Sequence, residues 1–253
     1  DIQGFSTISE GLTPEELVQL LNEYLTAMCD IVSSYNGTID KFEGDAIIAF
    51  WGAPLELPDH ATIACHAAID MQKRNEEMRK TLREQNRPML YTRIGMSSGP
   101  VVVGNMGSAD RMDYTMMGDV VNLAARLEGV NKFYKTFTMI PQSTYELAKD
   151  DIDTRQLDVI RVVGKKEPIP VYEVLERKNQ TSSEKSGVVE KYLKALKLYD
   201  ERNFADALKE FEKVLAIDQD DGPSQTYVKR CGVFLETPPE KDWDGVYTFT
   251  EKG

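Results

Sequence analysis

The segment TIDKFEGDAIIAFWG, residues 38–52, constrains the fold of this chain more than any other feature. Its two β-prone halves flank a short turn at Gly44, which predicts an antiparallel hairpin. Residues 46–51 form a continuous apolar run, which predicts a strand buried on both faces. A carboxylate at the mouth of a buried strand is costly unless a positive group meets it, so we expect Asp45 to meet one.

A helix with clear boundary signals precedes this hairpin. Thr13 is suited to the N-cap, Pro14 to the first helical position, and Glu16 to the closing position of a capping box. Apolar residues then recur at helical spacing until the Asn36-Gly37 pair, which ends the helix.

Helical and strand-like segments alternate after the hairpin. A second helix is predicted over residues 60–83, and another begins at about Asp119. Two strands, residues 91–97 and 100–104, are predicted to form a hairpin through a tight turn at residues 98–99. This order predicts an α+β sandwich with helices on a mostly antiparallel sheet.

The composition changes beyond residue 176. A polar stretch interrupts the chain, two amphipathic helices joined at residues 201–203 follow, and the end of the chain is rich in proline and then in aromatic residues. The helical pair resembles one tetratricopeptide unit, which must bury its apolar faces on the main domain, a partner or the tail. Trp243 and Tyr247 are expected to anchor the tail. The predicted units are a main domain (1–176), a linker (177–186), a tetratricopeptide-like helical segment (187–236) and a tail (237–253).

Charge and composition exclude several classes of protein. The net charge of −12 argues against nucleic acid as a partner, because phosphate backbones require clustered Lys and Arg. The sequence contains no apolar run of about 18 residues, so no membrane span is predicted in it. Cys29, Cys65 and Cys231 lack metal-type spacing and are interpreted as reduced thiols. The chain opens at Asp1 without a methionine, which suggests a fragment of a longer protein.

Two aspartates lie beside glycine-containing turns in the segments DIQGFS and FEGDAI. Asp1 and Asp45 can together hold hard divalent cations, since Mg²⁺ favours one or two carboxylates plus substrate phosphates. The backbone N–H groups of Gly4, Phe5 and Ser6 would be offered to a phosphate.

A third segment, NLAARLE, places two polar side chains on one face of a predicted helix. Asn122 and Arg126 are separated by one helical turn. A neutral donor beside a guanidinium suits an oxygen nucleophile and the charge that develops on a phosphate under attack.

These three motifs, in this order, resemble those of the class III nucleotide cyclases over residues 1–176. The resemblance implies a ferredoxin-like (palm-like) sandwich with a C-terminal helical hairpin added. It implies an adenylate cyclase, in which the ribose 3′-hydroxyl of ATP attacks the α-phosphate to give 3′,5′-cyclic AMP and pyrophosphate. The implied metal ligands are Asp1, Asp45 and the Ile2 carbonyl, holding two Mg²⁺ or Mn²⁺ ions per site.

The resemblance also implies roles for other side chains. Asn122 would orient the ribose, Arg126 would contact the α-phosphate in the transition state, and Arg93 would contact the outer phosphates. The family often has a lysine-glycine-lysine turn before the last strand, but Val163 occupies the place of the first lysine. Lys165 or Arg161 is expected to replace it.

The residues implied to contact the base are Lys41 and Thr115, with Met116 next to them. In adenylate cyclases the lysine position meets adenine N1. The partner position is often aspartate, and a lysine–threonine pair is a bacterial variant. Guanine-selective enzymes usually have glutamate at the lysine position. A lysine cannot accept a hydrogen bond, so adenine is favoured.

The family forms a head-to-tail dimer, which implies a homodimer with two sites at its interface. Asp1 and Asp45 would act from one chain, and the base and transition-state residues from the other. We expect an upstream regulatory domain, and a cytoplasmic protein or the cytoplasmic part of a larger, membrane-anchored one. The alternatives are a guanylate cyclase and a degenerate cyclase domain that serves as a nucleotide-binding or dimerisation module. A diguanylate cyclase is excluded, because the hairpin reads EGDA rather than Gly-Gly-acidic-acidic-Phe.

Overall fold

A computed structural model describes residues 1–249 of the chain. The helices are α1 (Phe5–Glu10), α2 (Pro14–Ser34), α3 (His60–Glu84), α4 (Asp119–Tyr134), α5 (Gln142–Ala148), α6 (Ser183–Asp200), α7 (Phe204–Leu215) and α8 (Gly222–Glu236). The strands are β1 (Thr38–Glu43), β2 (Ala46–Phe50), β3 (Ile94–Gly95), β4 (Val102–Gly107), β5 (Met112–Met117), β6 (Thr138–Pro141), β7 (Ile152–Arg161), β8 (Ile169–Arg177) and β9 (Tyr247–Thr248).

The central sheet has five strands in the order β3-β6-β8-β7-β9. The β6–β8 and β8–β7 pairs are antiparallel, whereas the edge strands β3 and β9 pair in parallel with their neighbours. Two antiparallel hairpins, β1–β2 and β4–β5, form separate two-stranded sheets. This arrangement confirms the predicted α+β fold with helices on a mostly antiparallel sheet.

The predicted helices are confirmed. Thr13 caps α2, its hydroxyl accepting from the Glu16 N–H while the Glu16 carboxylate accepts from the Thr13 N–H at 2.9 Å. The helices α3 and α4 begin at His60 and Asp119 as predicted. None of the helices within residues 1–249 has both the length and the apolar composition that a membrane span requires.

The hairpin predicted over residues 91–104 is wrong. Strand β3 contains only Ile94–Gly95 and pairs with β6, while β4 pairs with β5 in another sheet. The bend between them is fastened to α5, because the Ser98 N–H donates to Thr144 Oγ1 at 2.8 Å and Ser143 Oγ donates to the Ser98 carbonyl at 3.2 Å. The chain therefore changes sheet where a tight turn was predicted.

Strand β2 is not buried on both faces, which corrects a second prediction. Only Phe50 is buried, and the other residues of β2 are half-buried. Ile39 and Ile47 of the β1–β2 hairpin pack against the core beneath α2, so one face is covered. The apolar run reflects this covered face and a second face that the single chain leaves partly open.

The C-terminal helices share a core with the sheet instead of forming their own. Helix α6 begins at Ser183, inside the stretch predicted to be a linker, and a third helix, α8, follows the predicted pair. One cluster of buried residues joins α4, the sheet and α6–α8: Leu127, Val130, Tyr134, Met139, Leu157, Val171, Tyr192, Phe211 and Tyr227 are among its members. The helical segment thus packs on the main domain.

A buried ion-pair network fastens α8 to the sheet. Arg155 of β7 is 1% exposed, and its guanidinium lies 2.6 Å from both Asp221 Oδ1 and Glu173 Oε2. Asp221 also caps α8. Arg230, farther along α8, pairs with Asp158 at 2.5 Å and donates to the Tyr134 hydroxyl at the end of α4.

Two aromatic side chains anchor the tail, as predicted. Trp243 packs edge-on against Tyr199 and Phe234 of the helical segment. Tyr247 stacks near Phe133 of α4, and β9 pairs with the outer edge of β7. The tail therefore covers this edge of the central sheet.

Candidate active site

One hydrogen bond joins the two segments that carry the predicted metal-binding aspartates. The Ile2 N–H donates to Asp45 Oδ2 at 2.9 Å, which holds the start of the chain against the tip of the β1–β2 hairpin. Ile2 also bridges to Thr92 and is buried, so this seat is part of the core. Gly44 turns the hairpin with a φ of 66°, a conformation that a side chain disfavours. The residue after Asp1 therefore contacts Asp45 directly, and the pairing of the two aspartates as metal ligands stays a prediction.

A guanidinium lies beside this pair of carboxylates. Arg93 Nη2 is 3.8 Å from Asp1 Oδ1, and Arg93 Nε donates to Glu128 Oε1 of α4 at 2.7 Å. The Arg93 side chain is only 13% exposed, so it borders the carboxylates instead of extending into solvent. Its predicted contact with outer phosphates would have to be made next to the metal ligands.

The donor set fits a cation carried by a phosphate. Within residues 1–249 no three His, Cys, Asp or Glu side chains cluster as an all-protein metal cage would. Mg²⁺ does not need such a cage, because substrate phosphates and water complete its octahedron beside one or two carboxylates. Asp1, Asp45 and the Ile2 carbonyl supply oxygen donors of the required type.

The predicted phosphate-binding turn follows the first aspartate directly. Gly4 adopts a left-handed conformation with φ 69° and precedes α1, in which Phe5 and Ser6 are the first residues. The Phe5 N–H donates to the Ile2 carbonyl at 3.4 Å. The backbone therefore turns at residues 4–6, directly after the segment that carries Asp1.

The predicted base-reading residues meet at a carboxylate that the sequence prediction missed. Thr115 Oγ1 donates to Asp40 Oδ2 at 2.8 Å, and Lys41 Nζ lies 3.7 Å from the same oxygen. Met116 follows Thr115 in β5 and therefore points to the other face of that strand. The available signal was the position of Asp40, a charged residue next to Lys41 in a strand.

The predicted transition-state residues lie on α4 with different exposures. Asn122 is exposed and Arg126 is half-buried. The helix packs closely on β3, where Gly95 lies against its backbone, and the buried Asn131 amide donates to the Ile94 carbonyl at 3.0 Å. The sheet therefore sets the position of α4 directly.

Within one chain, the predicted metal ligands and the predicted transition-state residues lie on different sides of α4. Glu128, which contacts Arg93 beside Asp1, is two residues beyond Arg126 and so lies about 200° around the helix from it. Asn122 lies about 40° from Arg126 and about 120° from Glu128, so neither of the two predicted residues shares the face of Glu128. Helix geometry therefore places the predicted transition-state residues away from the Glu128–Arg93 contact beside Asp1.

The turn between β7 and β8 borders the Arg126 side of α4. A methyl group on Gly164 would lie 3.4 Å from Arg126 Nη2, and the Lys165 ammonium pairs with Asp119 at the start of α4. Arg161 instead donates to the Lys166 carbonyl at 2.8 Å and pairs with Asp244 of the tail at 3.0 Å. Of the two candidates to replace the absent lysine, Lys165 is placed beside α4.

The family model for the adenylate and guanylate cyclase catalytic domain matches residues 1–176. The chain is 39% identical over 175 residues to adenylate cyclase 1 of Rhizobium meliloti, covering 69% of this chain and 26% of that protein. It thus spans about a quarter of that relative's length.

Solved structures give the same result. The crystal structure of the adenylyl cyclase CyaB from P. aeruginosa is 38% identical, with a TM-score of 0.65, and the match covers 72% of this chain and 93% of the other. The guanylyl cyclase Cya2 is 35% identical with a TM-score of 0.66, over 71% of this chain and 90% of the other. With its motifs, fold and family match, this chain belongs to the adenylate and guanylate cyclase catalytic domain family.

Proposed function

We propose that this chain is an adenylate cyclase that converts ATP to 3′,5′-cyclic AMP and pyrophosphate. The observation that carries the proposal is the meeting of Lys41 and Thr115 at Asp40, which presents an ammonium and a hydroxyl on neighbouring strands. An ammonium only donates, and adenine N1 accepts, whereas guanine N1 carries a hydrogen. The name of the Rhizobium meliloti relative, an adenylate cyclase, supports the same substrate.

The metal ligands in this proposal are Asp1, Asp45 and the Ile2 carbonyl. When bound, two Mg²⁺ or Mn²⁺ ions supply charge neutralisation of the triphosphate and lower the pKa of the ribose 3′-hydroxyl. The hydrogen bond from Ile2 holds Asp45 against the segment that carries Asp1 before substrate arrives. Such preorganisation lowers the cost of bringing them together during the reaction.

The other site residues bind and orient the nucleotide. Asn122 orients the ribose so that its 3′-oxygen is in line with the α-phosphate, and Arg126 stabilises the charge that develops there. The bond between the 3′-oxygen and the α-phosphorus forms as the bond between that phosphorus and pyrophosphate breaks. The triphosphate is held by the phosphate-binding residues Gly4, Phe5, Ser6, Arg93 and Lys165.

The complete site requires two copies of the chain. Asn122 and Arg126 lie away from the Glu128–Arg93 contact beside Asp1 of their own chain, so a second copy is needed to supply them. The β4–β5 hairpin exposes a suitable surface, in which Val102 and Met117 are paired and are 68% and 66% exposed. A two-fold homodimer would bury this surface and form two equivalent sites.

We propose that the reaction takes place in the cytoplasm, where ATP is available, and that a further domain regulates it. We also propose that residues 187–236 are a tetratricopeptide-like segment. The packing of α6–α8 on the catalytic sheet supports a role in holding that sheet and α4 together.

A guanylate cyclase is the second candidate, because the guanylyl cyclase Cya2 matches the fold as well as the adenylyl cyclase does. The test is an assay of the purified chain with ATP or GTP, each with Mg²⁺ and with Mn²⁺, and chromatographic identification of the products. Cyclic AMP as the main product supports the proposal, and cyclic GMP as the main product would overturn it. A folded chain that binds nucleotide but forms neither product would indicate a degenerate module.

A further inference from the structure

Asp40 is a buried carboxylate that no part of the proposed reaction uses. Its side chain is 4% exposed, and its Oδ2 atom accepts a hydrogen bond from Thr115 Oγ1 at 2.8 Å. The Lys41 ammonium, 43% exposed, lies 3.7 Å from that same oxygen. The other oxygen, Oδ1, is buried and has no hydrogen-bond partner among residues 1–249.

This arrangement is a poor way to stabilise the hairpin. A buried acceptor without a donor costs free energy, and an apolar residue of similar size would avoid that cost. The contact also links two strands from separate sheets, β1 and β5, through side chains. The contact matters instead for the residues that it joins.

The contact with Asp40 determines whether the Thr115 hydroxyl can donate or accept further hydrogen bonds. A hydroxyl has one proton and two lone pairs, and an ionised carboxylate only accepts. When Thr115 gives its proton to Asp40, its oxygen can offer only lone pairs to anything else. Lys41, held near the same carboxylate, can offer only protons.

We propose that Asp40 is a positioning residue for base selection: it makes Thr115 an obligatory acceptor beside the Lys41 donor, so that the pocket matches adenine. Adenine presents the complementary pair, an N1 acceptor and an N6 amino donor, whereas guanine presents an N1–H donor and an O6 acceptor. Asp40 acts through Thr115 and Lys41 and does not itself touch the base. The inference rests on the proposed adenylate cyclase function and deepens it.

The contact with Asp40 allows a threonine to contact the base at position 115, where a carboxylate is the commoner choice. An aspartate at position 115 would accept directly from the adenine amine. Here the carboxylate lies one hydrogen bond farther away, at Asp40, and the hydroxyl of Thr115 extends its accepting character to the base. Replacing Asp40 with an amide should relax the selection, because an amide can donate to Thr115 and free its proton.

The test compares kcat/KM for ATP and for GTP in Asp40→Asn, with Asp150→Asn as the matched control. Asp150 undergoes the same change of charge but is exposed in the turn that follows α5. The ATP/GTP ratio is expected to fall by roughly tenfold in Asp40→Asn, mainly through KM for ATP, and to stay unchanged in the control. Adding Thr115→Asp to Asp40→Asn should restore the ratio, which a merely structural role for Asp40 would not predict.

The outcomes separate this inference from the proposed function. A wild-type chain that prefers ATP, together with an Asp40→Asn chain that keeps its ratio, would overturn the inference alone. A wild-type chain that neither binds nor converts ATP, judged by calorimetric titration with ATP and GTP, would overturn both. Should Asp40→Asn fail to fold, Thr115→Val tests the same hydroxyl, and an unchanged ATP/GTP ratio there would overturn the inference.

Discussion

Gly95 lies where the central sheet sets the position of α4, and Gly95→Ala should damage catalysis from a distance. A methyl group on Gly95 would lie 2.1 Å from the Ala124 carbonyl oxygen and 2.3 Å from the Glu128 nitrogen. Ordinary van der Waals contact begins at 3.4 Å. Both neighbours are backbone atoms, so side-chain rotation cannot relieve the clash, and α4 must retreat by about 1 Å.

The retreat moves Arg126, which lies between the two clashing residues in sequence. A misplacement of about 1 Å in a positioned catalytic group can cost roughly a hundredfold in rate. Overpacking should also lower the free energy of unfolding by about 1–3 kcal/mol. We therefore expect kcat for cyclic AMP formation to fall by about two orders of magnitude in a chain that remains folded.

The assay is steady-state cyclic AMP formation, with urea unfolding of the same preparations to measure the folded fraction. Gly187→Ala in α6 is the control, because a methyl group there meets no atom within 4 Å in the described structure. It should leave kcat unchanged. A Gly95→Ala chain that keeps wild-type kcat would show that the sheet does not position Arg126 through this glycine.

Three further predictions concern the ion pairs and the metal ligands. Arg155→Leu leaves the half-buried Glu173 without its cation and the buried Asp221 with only Lys185, 3.5 Å away, and should lower the free energy of unfolding by about 3–5 kcal/mol in urea titrations. Arg111→Leu, at an 85% exposed position, should change it little. Burial opposes ionisation of Asp221, but Arg155 and the Ser224 N–H outweigh it and hold the pKa of Asp221 below the ordinary 3.8. The ionised carboxylate therefore stabilises the fold above pH 3.8, and this contribution is lost as the pH falls further. Asp221→Asn should flatten the dependence of the unfolding free energy on pH below 3.8, and an unchanged dependence would contradict this. Asp45→Asn should keep the hydrogen bond from Ile2, so the melting temperature should not change. The same variant should reduce Mn²⁺-dependent cyclic AMP formation at least about a hundredfold. Activity within a few-fold of wild type would exclude Asp45 as a metal ligand.

Local signals predicted much of this structure. The capping box at Thr13 and the turn at Gly44 are determined by a few neighbouring residues, so their elements could be placed from the sequence. The helical face shared by Asn122 and Arg126 follows from spacing alone. Helix α8 had a usable signal that was missed, because Asp221 and Pro223 are typical of a helix start.

Features that depend on distant contacts could not be predicted in this way. The chain leaves the predicted 91–104 hairpin because Ser98 bonds to α5, nearly fifty residues later. Asp40 gains its significance from Thr115 on another hairpin, and nothing in its immediate sequence shows that contact. Strand β2 is only half-buried, since an apolar run does not reveal whether both of its faces are covered within one chain.

The proposed division of the active site between two chains can be tested by mixing two inactive variants. Asp45→Ala should inactivate a homodimer through its metal ligands, and Arg126→Ala through its transition-state residue. In a mixed dimer one site carries both defects and the other carries neither. Half of the dimers are mixed after random exchange, so activity with ATP should recover to about a quarter of wild type. No recovery, with subunit exchange confirmed by differently tagged chains, would show that Asp45 and Arg126 do not meet across two chains.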